Sequence, residues 1–212
     1  PVQTCRLGCS AFPLIAMFQR FRQQLDANLR YIKTDLGADF VRAIGVLGGD
    51  FFGGVDPWQE LATDWRASTF VQSVRDVQTH LRDTFGLKIA WTFVGGRAQV
   101  EREEHQNAVV DRFSDAFAPA SWEYGEMWNE WEVNNALRHE LRNMARRLRG
   151  RLPAGFPIAL SSPNSLMGGN ASAATVDTEI AAMYGGDSGA NLITIHPTRP
   201  EPIWNAETVG RL

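Results

Sequence analysis

The residues best suited to chemistry lie between positions 126 and 131, where the sequence reads Glu-Met-Trp-Asn-Glu-Trp. A carboxyl group, Glu130, directly follows an amide, Asn129, and indole rings flank the pair. Cleavage of a glycosidic bond needs one carboxyl group to protonate the departing oxygen and a second to attack or to activate water. Indoles present large apolar faces suited to sugar rings. The stretch therefore indicates chemistry on a carbohydrate, or binding of one.

The rest of the chain alternates short apolar runs with stretches of helical periodicity. The apolar runs predict six strands, near residues 4–12, 38–49, 87–96, 122–129, 157–165 and 190–197. Five helices are predicted between them, near residues 18–36, 70–85, 101–118, 136–148 and 176–184. This alternation is typical of a parallel α/β sheet. Several predicted strand ends carry polar or aromatic side chains, which favours a barrel whose strand ends converge on one site.

Residues 122–131 resemble the fourth strand of the clan-A glycoside hydrolases, which are retaining enzymes built on a TIM barrel. The family pattern there is roughly Glu, an apolar residue, Trp or Gly, and then Asn-Glu, as in residues 126–130. The resemblance implies a single (β/α)8 TIM-barrel domain over residues 1–212, with about six βα units present. It also implies that Glu130 is the general acid/base and that Asn129 hydrogen-bonds the sugar 2-hydroxyl.

Further site residues follow from the same resemblance. Arg42 matches the arginine late on strand two that supports the family's nucleophile. His196 matches the histidine after strand six, although the tyrosine that often follows it is missing. Trp91 and Trp131 are predicted to be sugar platforms. The nucleophile itself, a glutamate after strand seven in the family, is not assigned, and no metal or organic cofactor is implied.

Each of these residues has a purely structural alternative. Glu130 would be favourable in the first turn of the following helix, and Arg42 would form an interior ion pair. His196 would be a hydrogen-bonded core histidine, and the two tryptophans would be packing residues. Glu126, four residues before Glu130 and on the same side of the strand, is predicted to be a structural ion-pair partner.

Two other functions remain open from the sequence. One is a non-catalytic carbohydrate-binding or structural barrel domain that lacks the nucleophile and is completed by a partner segment or subunit. The other is a barrel hydrolase that uses Glu130 together with Asp50 or Asp56. Independently of these alternatives, Trp58 and Trp65 lie in the loop after the second predicted strand, on the active-site side, and are candidates for a sugar subsite.

Composition excludes several other classes of protein. A net charge of −3 over 212 residues does not indicate a nucleic-acid-binding face. No apolar run approaches the roughly 18 residues that a membrane span needs. The basic run at 142–151 is predicted to be the solvated face of a helix, and residues 101–105 lack the spacing of a metal site. The sequence carries no signal for a compartment, and an extracytoplasmic location is only slightly favoured.

Overall fold

The structure is a computed structural model that describes residues 8–10, 13–46, 63–97, 100–129, 136–161 and 173–194. Strands and helices alternate along these ranges. The strands are β1 (Gly8–Ser10), β2 (Phe40–Val46), β3 (Lys88–Val94), β4 (Trp122–Trp128) and β5 (Ile158–Ala159). The helices are α1 (Leu14–Arg20), α2 (Arg22–Thr34), α3 (Phe70–Phe85), α4 (Glu103–Asp115), α5 (Arg138–Arg149) and α6 (Ala173–Tyr184).

The five strands form one parallel sheet, and their order across the sheet is their order along the chain. Strand β3 is central and pairs with β2 from Lys88 to Val94. On its other side it pairs with β4, with one irregularity in register between Ile89 and Ala90. A parallel sheet needs a crossover between every pair of strands, and helices α3, α4 and α5 lie in contact in that order.

An α/β fold with a parallel sheet is confirmed, but the predicted TIM barrel with about six βα units is wrong. The described part of the chain has five strands, and their sheet is open. Among the described residues of the predicted sixth strand, 190–194, only Leu192 pairs, through an isolated bridge to Ala159. Closure of a sheet depends on strand tilt and stagger, which the alternation of strand and helix patterns does not encode. Polar strand ends also occur in open parallel sheets, where ligands bind beyond the carboxyl ends of the strands.

The helix predictions are largely confirmed in position. Helix α3 ends where Gly86 adopts a left-handed conformation with φ of 64° and its amide donates to Arg82 O, as glycine does after many helices. The helix predicted at 18–36 is instead two helices. Phe21, with φ of −130° and ψ of 43°, lies between α1 and α2 and breaks the helical path.

One face of the sheet packs against the helices. Phe113 of α4 lies 5.3 Å from the ring of Trp91 and stacks on Phe93 with 4.4 Å between ring centroids. On β2 the same face carries Gly45, where an added Cβ would lie 2.1 Å from Phe113 Cζ. The glycine therefore makes the space that allows the Phe113 ring to lie against the sheet.

The opposite face carries the polar side chains. Side chains alternate between the two faces of a strand, so Arg42, Thr92 and Glu126 lie on the face opposite to Trp91 and Phe93. The register places Thr92 directly beside Glu126. We refer to the face that carries Arg42, Thr92 and Glu126 as the Glu126 face. None of the helices in the described part of the chain is long and apolar enough to cross a membrane.

Candidate functional site

Glu126 is the centre of a buried polar cluster on the Glu126 face. Its side chain is fully buried. Oε2 accepts hydrogen bonds from Arg42 Nε at 2.9 Å, from Arg42 Nη2 at 2.5 Å and from Thr92 Oγ1 at 2.6 Å. Oε1 accepts one from Thr194 Oγ1 at 2.6 Å. A carboxylate has about four lone-pair sites, two on each oxygen, so Oε2 is fully used, whereas Oε1 accepts one hydrogen bond among the described residues.

The ion pair between Arg42 and Glu126 spans the central strand, because β2 and β4 both flank β3. Neighbouring strands lie about 4.8 Å apart, so only a long side chain on β2 can reach β4. Ala90 is the β3 residue beside Arg42, and its small side chain leaves room for the guanidinium to pass. Arg42 compensates the buried charge of Glu126, which would otherwise cost several kcal/mol.

Asn129 directly follows β4 and is held at two points. Its backbone amide donates to Val94 O at 2.8 Å. Its side-chain Oδ1 accepts a hydrogen bond from Arg42 Nη2 at 3.1 Å. Only 5% of the residue is exposed. Because the amide oxygen is directed at Arg42, the amide nitrogen is directed away from it.

Two tyrosines border the cluster. Burial raises the pKa of Tyr124 to about 12, and the negative charge of Glu126 adds to that rise. Burial likewise raises the pKa of Tyr184 to about 12, and its hydroxyl donates to Ser161 O at 3.2 Å. Both phenols are therefore neutral at physiological pH and can act as hydrogen-bond donors and acceptors, but not as bases.

The structure brings together two of the site residues predicted from the sequence, Arg42 and Asn129. It places Arg42 against Glu126, with which Arg42 forms a buried ion pair. Glu130, Trp131 and His196 lie outside the described residues. The same is true of Asp50, Asp56 and Trp58.

Trp91 does not belong to this cluster. Its ring is fully buried among the helix-facing residues, on the opposite side of the sheet from Arg42. An indole without an exposed face cannot stack on a sugar, so the prediction that Trp91 is a sugar platform is corrected to a core role. Trp65 is also buried, with its ring 5.7 Å from that of His105.

Thr92, Thr194, Tyr124 and Tyr184 were missed by reasoning from the sequence alone. Thr92 was detectable, since a polar residue within the apolar run of β3 needs a polar partner. Thr194 carried no such signal. It reaches Glu126 only because the segment after α6 returns to β5 through hydrogen bonds from Asn191 N and Leu192 N to Ile158 O, at 2.9 Å and 3.0 Å.

A second buried ion pair lies at the start of α5. Arg97 holds both oxygens of Glu140 at 2.7 Å, and Gln106 Nε2 donates to Glu140 Oε1 at 3.0 Å. The Leu137 amide donates to Glu140 Oε2 at 2.8 Å. Burial raises the pKa of Glu140, but these hydrogen bonds outweigh burial and bring the pKa below its ordinary value. The pair joins the loop after β3 to the first turn of α5.

The basic run at 142–151 includes an exposed side of α5, as predicted, because Arg146 and Arg147 are exposed. Some of its arginines also bind neighbouring elements. Arg142 donates to the carbonyl groups of Ala182 and Gly185 at the end of α6, at 3.0 Å and 2.9 Å. Arg147 binds Asp111 of α4 with two hydrogen bonds, at 2.7 Å and 2.6 Å. These contacts join α5 to α4 and to the end of α6.

The charges of Arg42 and Glu126 balance each other within the cluster. Among the described residues, no group of three or more His, Cys, Asp or Glu side chains is placed to hold a metal ion. Comparison with known proteins identifies no relative: no protein-family model matches the chain, and no curated protein or solved structure shows significant similarity to it.

Proposed function

We propose that this chain is a carbohydrate-active hydrolase in which Glu130 is the general acid/base. The supporting observation is the hydrogen bond from Arg42 to Asn129, at 3.1 Å, beyond the carboxyl end of β4. Ligands of open parallel sheets bind at this edge, and Glu130 is the residue that follows Asn129. Asn129 therefore lies at the end of the sheet where a substrate is expected, and Glu130 is the next residue in the chain.

The proposed chemistry is hydrolysis of an O-glycosidic bond with retention of configuration. Glu130 protonates the departing oxygen while a second carboxyl group attacks the sugar, and Glu130 then removes a proton from water. Glu126 is unsuited to the second role, because its four hydrogen bonds occupy both oxygens. The second carboxyl group is therefore assigned to residues outside the described part of the chain, or to a partner segment.

A non-catalytic carbohydrate-binding role is the second candidate. It is favoured by the burial of Glu126 and its ion pair with Arg42, because the cluster within the described residues then supplies no exposed carboxyl group for catalysis. In that case Asn129 and Glu130 would contribute hydrogen bonds to sugar hydroxyls and no proton transfer. The two candidates predict the same ligand class and differ in turnover.

The test is hydrolysis by the 212-residue chain of a panel of plant, fungal and bacterial polysaccharides and of 4-nitrophenyl glycosides. We expect Glu130→Gln to lower kcat/KM on polysaccharide by about 10²–10⁴-fold. A dinitrophenyl glycoside, whose leaving group needs little protonation, should lose much less activity. Glu132→Gln, a charge change of the same kind in the same stretch, is the matched control.

Stereochemistry provides the second readout. Glu130→Ala supplied with azide should form a glycosyl azide of retained configuration, detected by proton NMR, because azide replaces the water that Glu130 activates. Unchanged polysaccharide hydrolysis in Glu130→Gln would exclude the acid/base role. Carbohydrate binding without turnover in the wild-type chain would select the non-catalytic candidate, and neither binding nor turnover would exclude both.

A further inference from the structure

We infer that His80 is a pH-sensitive contact, whose protonation releases Arg22 from α3 and loosens the corner where α1 meets α2. The His80 side chain, on α3, is 11% exposed, so the ring is packed but still in reach of solvent. From α2, Asp26 Oδ1 lies 2.7 Å from His80 Nε2, and Arg22 Nη2 lies 2.5 Å from His80 Nδ1. From α3 itself, Thr84 Oγ1 lies 3.0 Å from Nδ1.

The partners of His80 determine which ring nitrogen carries the proton in the neutral state. A neutral imidazole has one donor nitrogen and one acceptor nitrogen. Asp26 as a carboxylate only accepts, so Nε2 carries the proton and donates to it. Arg22 only donates, so Nδ1 is unprotonated and accepts from Arg22 Nη2. Arg22 Nε, 3.2 Å from His80 Nε2 and 3.1 Å from Asp26 Oδ1, then donates to the carboxylate.

A second proton on the ring changes what Nδ1 can bind. An imidazolium ring donates from both nitrogens, so the bond to Asp26 is kept and becomes stronger because both partners are charged. Nδ1 can no longer accept from Arg22, and two positive charges then face each other. Thr84 is the other group at Nδ1, and its hydroxyl can accept as well as donate. Protonation therefore exchanges Arg22 for Thr84 as the partner of Nδ1.

Arg22 contributes to packing because it is the first residue of α2 and contacts both neighbouring helices. Its guanidinium lies over the ring of Phe18 of α1, 4.1 Å from the ring centroid. The residue before it, Phe21, separates α1 from α2. While His80 is neutral, the guanidinium is therefore held between α1 and α3 at the point where the helical path is broken.

The alternative is that His80 only packs. Its ring lies 5.5 Å from that of Phe18 on α1 and 5.4 Å from that of Phe85 on α3. Packing alone does not explain why both ring nitrogens have polar partners. The charged groups that face the ring, Arg22 and Asp26, both come from α2. A proton on His80 therefore acts on the contact between α2 and α3.

The first experiment is an NMR titration of the 212-residue chain between pH 8 and pH 5. A long-range 1H–15N spectrum identifies the ring nitrogen that carries the proton, and the 15Nε–13Cζ signal of Arg22, assigned by its loss in Arg22→Gln, follows the guanidinium. We expect the Nε2–H tautomer at pH 8 and a shift of the Arg22 signal with the same midpoint as the His80 ring. Arg147 is the matched control, because its Nε also donates to an aspartate, Asp111, at 2.7 Å.

Two variants separate the partners of Nδ1. Arg22→Gln should raise the midpoint of the His80 titration by about one pH unit, because a neighbouring cation disfavours the imidazolium. Thr84→Val should lower this midpoint, because it removes the hydroxyl that accepts from the protonated Nδ1. A midpoint that is the same in wild type and in both variants would contradict the exchange of partners.

The second experiment measures the effect on the helices by hydrogen exchange. The Leu25 amide donates to Phe21 O at 3.0 Å in the first turn of α2. Its protection factor, which is corrected for the intrinsic exchange rate, should fall several-fold between pH 8 and pH 5. The Leu141 amide, which donates to Leu137 O at 3.2 Å, is the control, because it has the same position in the first turn of α5. In His80→Gln the fall at Leu25 should disappear.

The Nδ1–H tautomer at pH 8, or an Arg22 signal that stays constant while the His80 ring titrates, would overturn the inference. The same holds for a fall in Leu25 protection that persists in His80→Gln or that is matched at Leu141. If His80→Gln does not fold, the titrations of wild type and Thr84→Val decide the question. These outcomes do not depend on whether the chain acts on carbohydrate.

Discussion

Arg42 and Glu126 meet above the central strand of the sheet, with Arg42 Nη2 2.5 Å from Glu126 Oε2 and the carboxylate fully buried. The two residues are 84 positions apart in the chain. Only the register of three parallel strands brings them together, because Thr92 and Ala90 of β3 lie between them. Formation of this ion pair therefore requires the correct register of β2, β3 and β4.

The first prediction concerns the energetics of this pair. Arg42→Met should lower the free energy of unfolding by about 3–5 kcal/mol, because it leaves the Glu126 charge buried without a partner. Arg42→Met combined with Glu126→Leu should lower it less than Arg42→Met alone, because no buried charge remains. Urea denaturation at pH 7 measures both. A double variant whose loss equals the sum of the two single losses would contradict the coupling.

The sequence predicted much of this region and failed at definable points. The resemblance to the clan-A strand pattern singles out Arg42 and Asn129, and strand parity with Glu130 singles out Glu126. The alternation of strand residues gave the parity of Glu126 and Glu130. It did not show which face of β3 the helices cover, because Ala90 and Val94 on one side are apolar, as are Ile89, Trp91 and Phe93 on the other.

That ambiguity explains the error at Trp91. A tryptophan near a strand end suits a sugar platform and suits packing under a helix equally well. Trp91 is a packing residue because the ring of Phe113, 22 positions further along the chain, contacts it on the helix side of the sheet. The barrel prediction failed for a related reason. Closure depends on how distant strands pair, and the described residues of the predicted sixth strand, 190–194, contribute only the bridge at Leu192 to the sheet.

The second prediction tests the contact between Gly45 and Phe113. Gly45→Ala should lower the free energy of unfolding by about 1–3 kcal/mol, because the new methyl group would lie 2.1 Å from Phe113 Cζ. Gly150→Ala is the control, since its nearest atoms would lie at an ordinary 3.6 Å and 3.7 Å. Adding Phe113→Leu to Gly45→Ala should recover part of the loss. Equal stability of the two glycine variants would rule out this close approach.

The third prediction concerns acid stability. The lowered pKa of Glu140 means that its stabilising contribution is present above the carboxyl pKa of the unfolded chain and is lost as pH falls through the lower folded value. At pH 7, Glu140→Gln should cost about 1–3 kcal/mol, because it removes the charge from a bidentate pair with Arg97.

The measurement is urea denaturation between pH 2.5 and 7. The difference between wild type and Glu140→Gln should shrink toward the acid end, where the wild-type carboxyl group also becomes neutral. Glu104→Gln is the control, because that side chain is 66% exposed and pairs with an equally exposed Arg102. A wild-type to Glu140→Gln difference that stayed constant across this range would argue against the ion pair.

The last prediction concerns alkaline stability and the two tyrosines beside the Glu126 cluster. Both Tyr124 and Tyr184 have a pKa raised to about 12, against about 10 in the unfolded chain. Between these values the unfolded chain releases protons that the folded chain retains. The free energy of unfolding should therefore be insensitive to these groups below pH 10 and fall between pH 10 and about 12, by roughly 1–3 kcal/mol for each tyrosine.

Tyr124→Phe should reduce the loss in free energy of unfolding between pH 10 and about 12, because phenylalanine cannot ionise. It keeps the ring that lies 6.0 Å from Phe40. Stability is measured by urea denaturation at pH 9, 10.5 and 11.5, and ionisation by absorbance at 295 nm. Tyr184→Phe should flatten the fall by a similar amount, and the double variant should remove most of it. A wild-type slope that survives in the double variant would mean that the phenols are accessible to solvent. The Glu126 face would then be open rather than sealed around its ion pair.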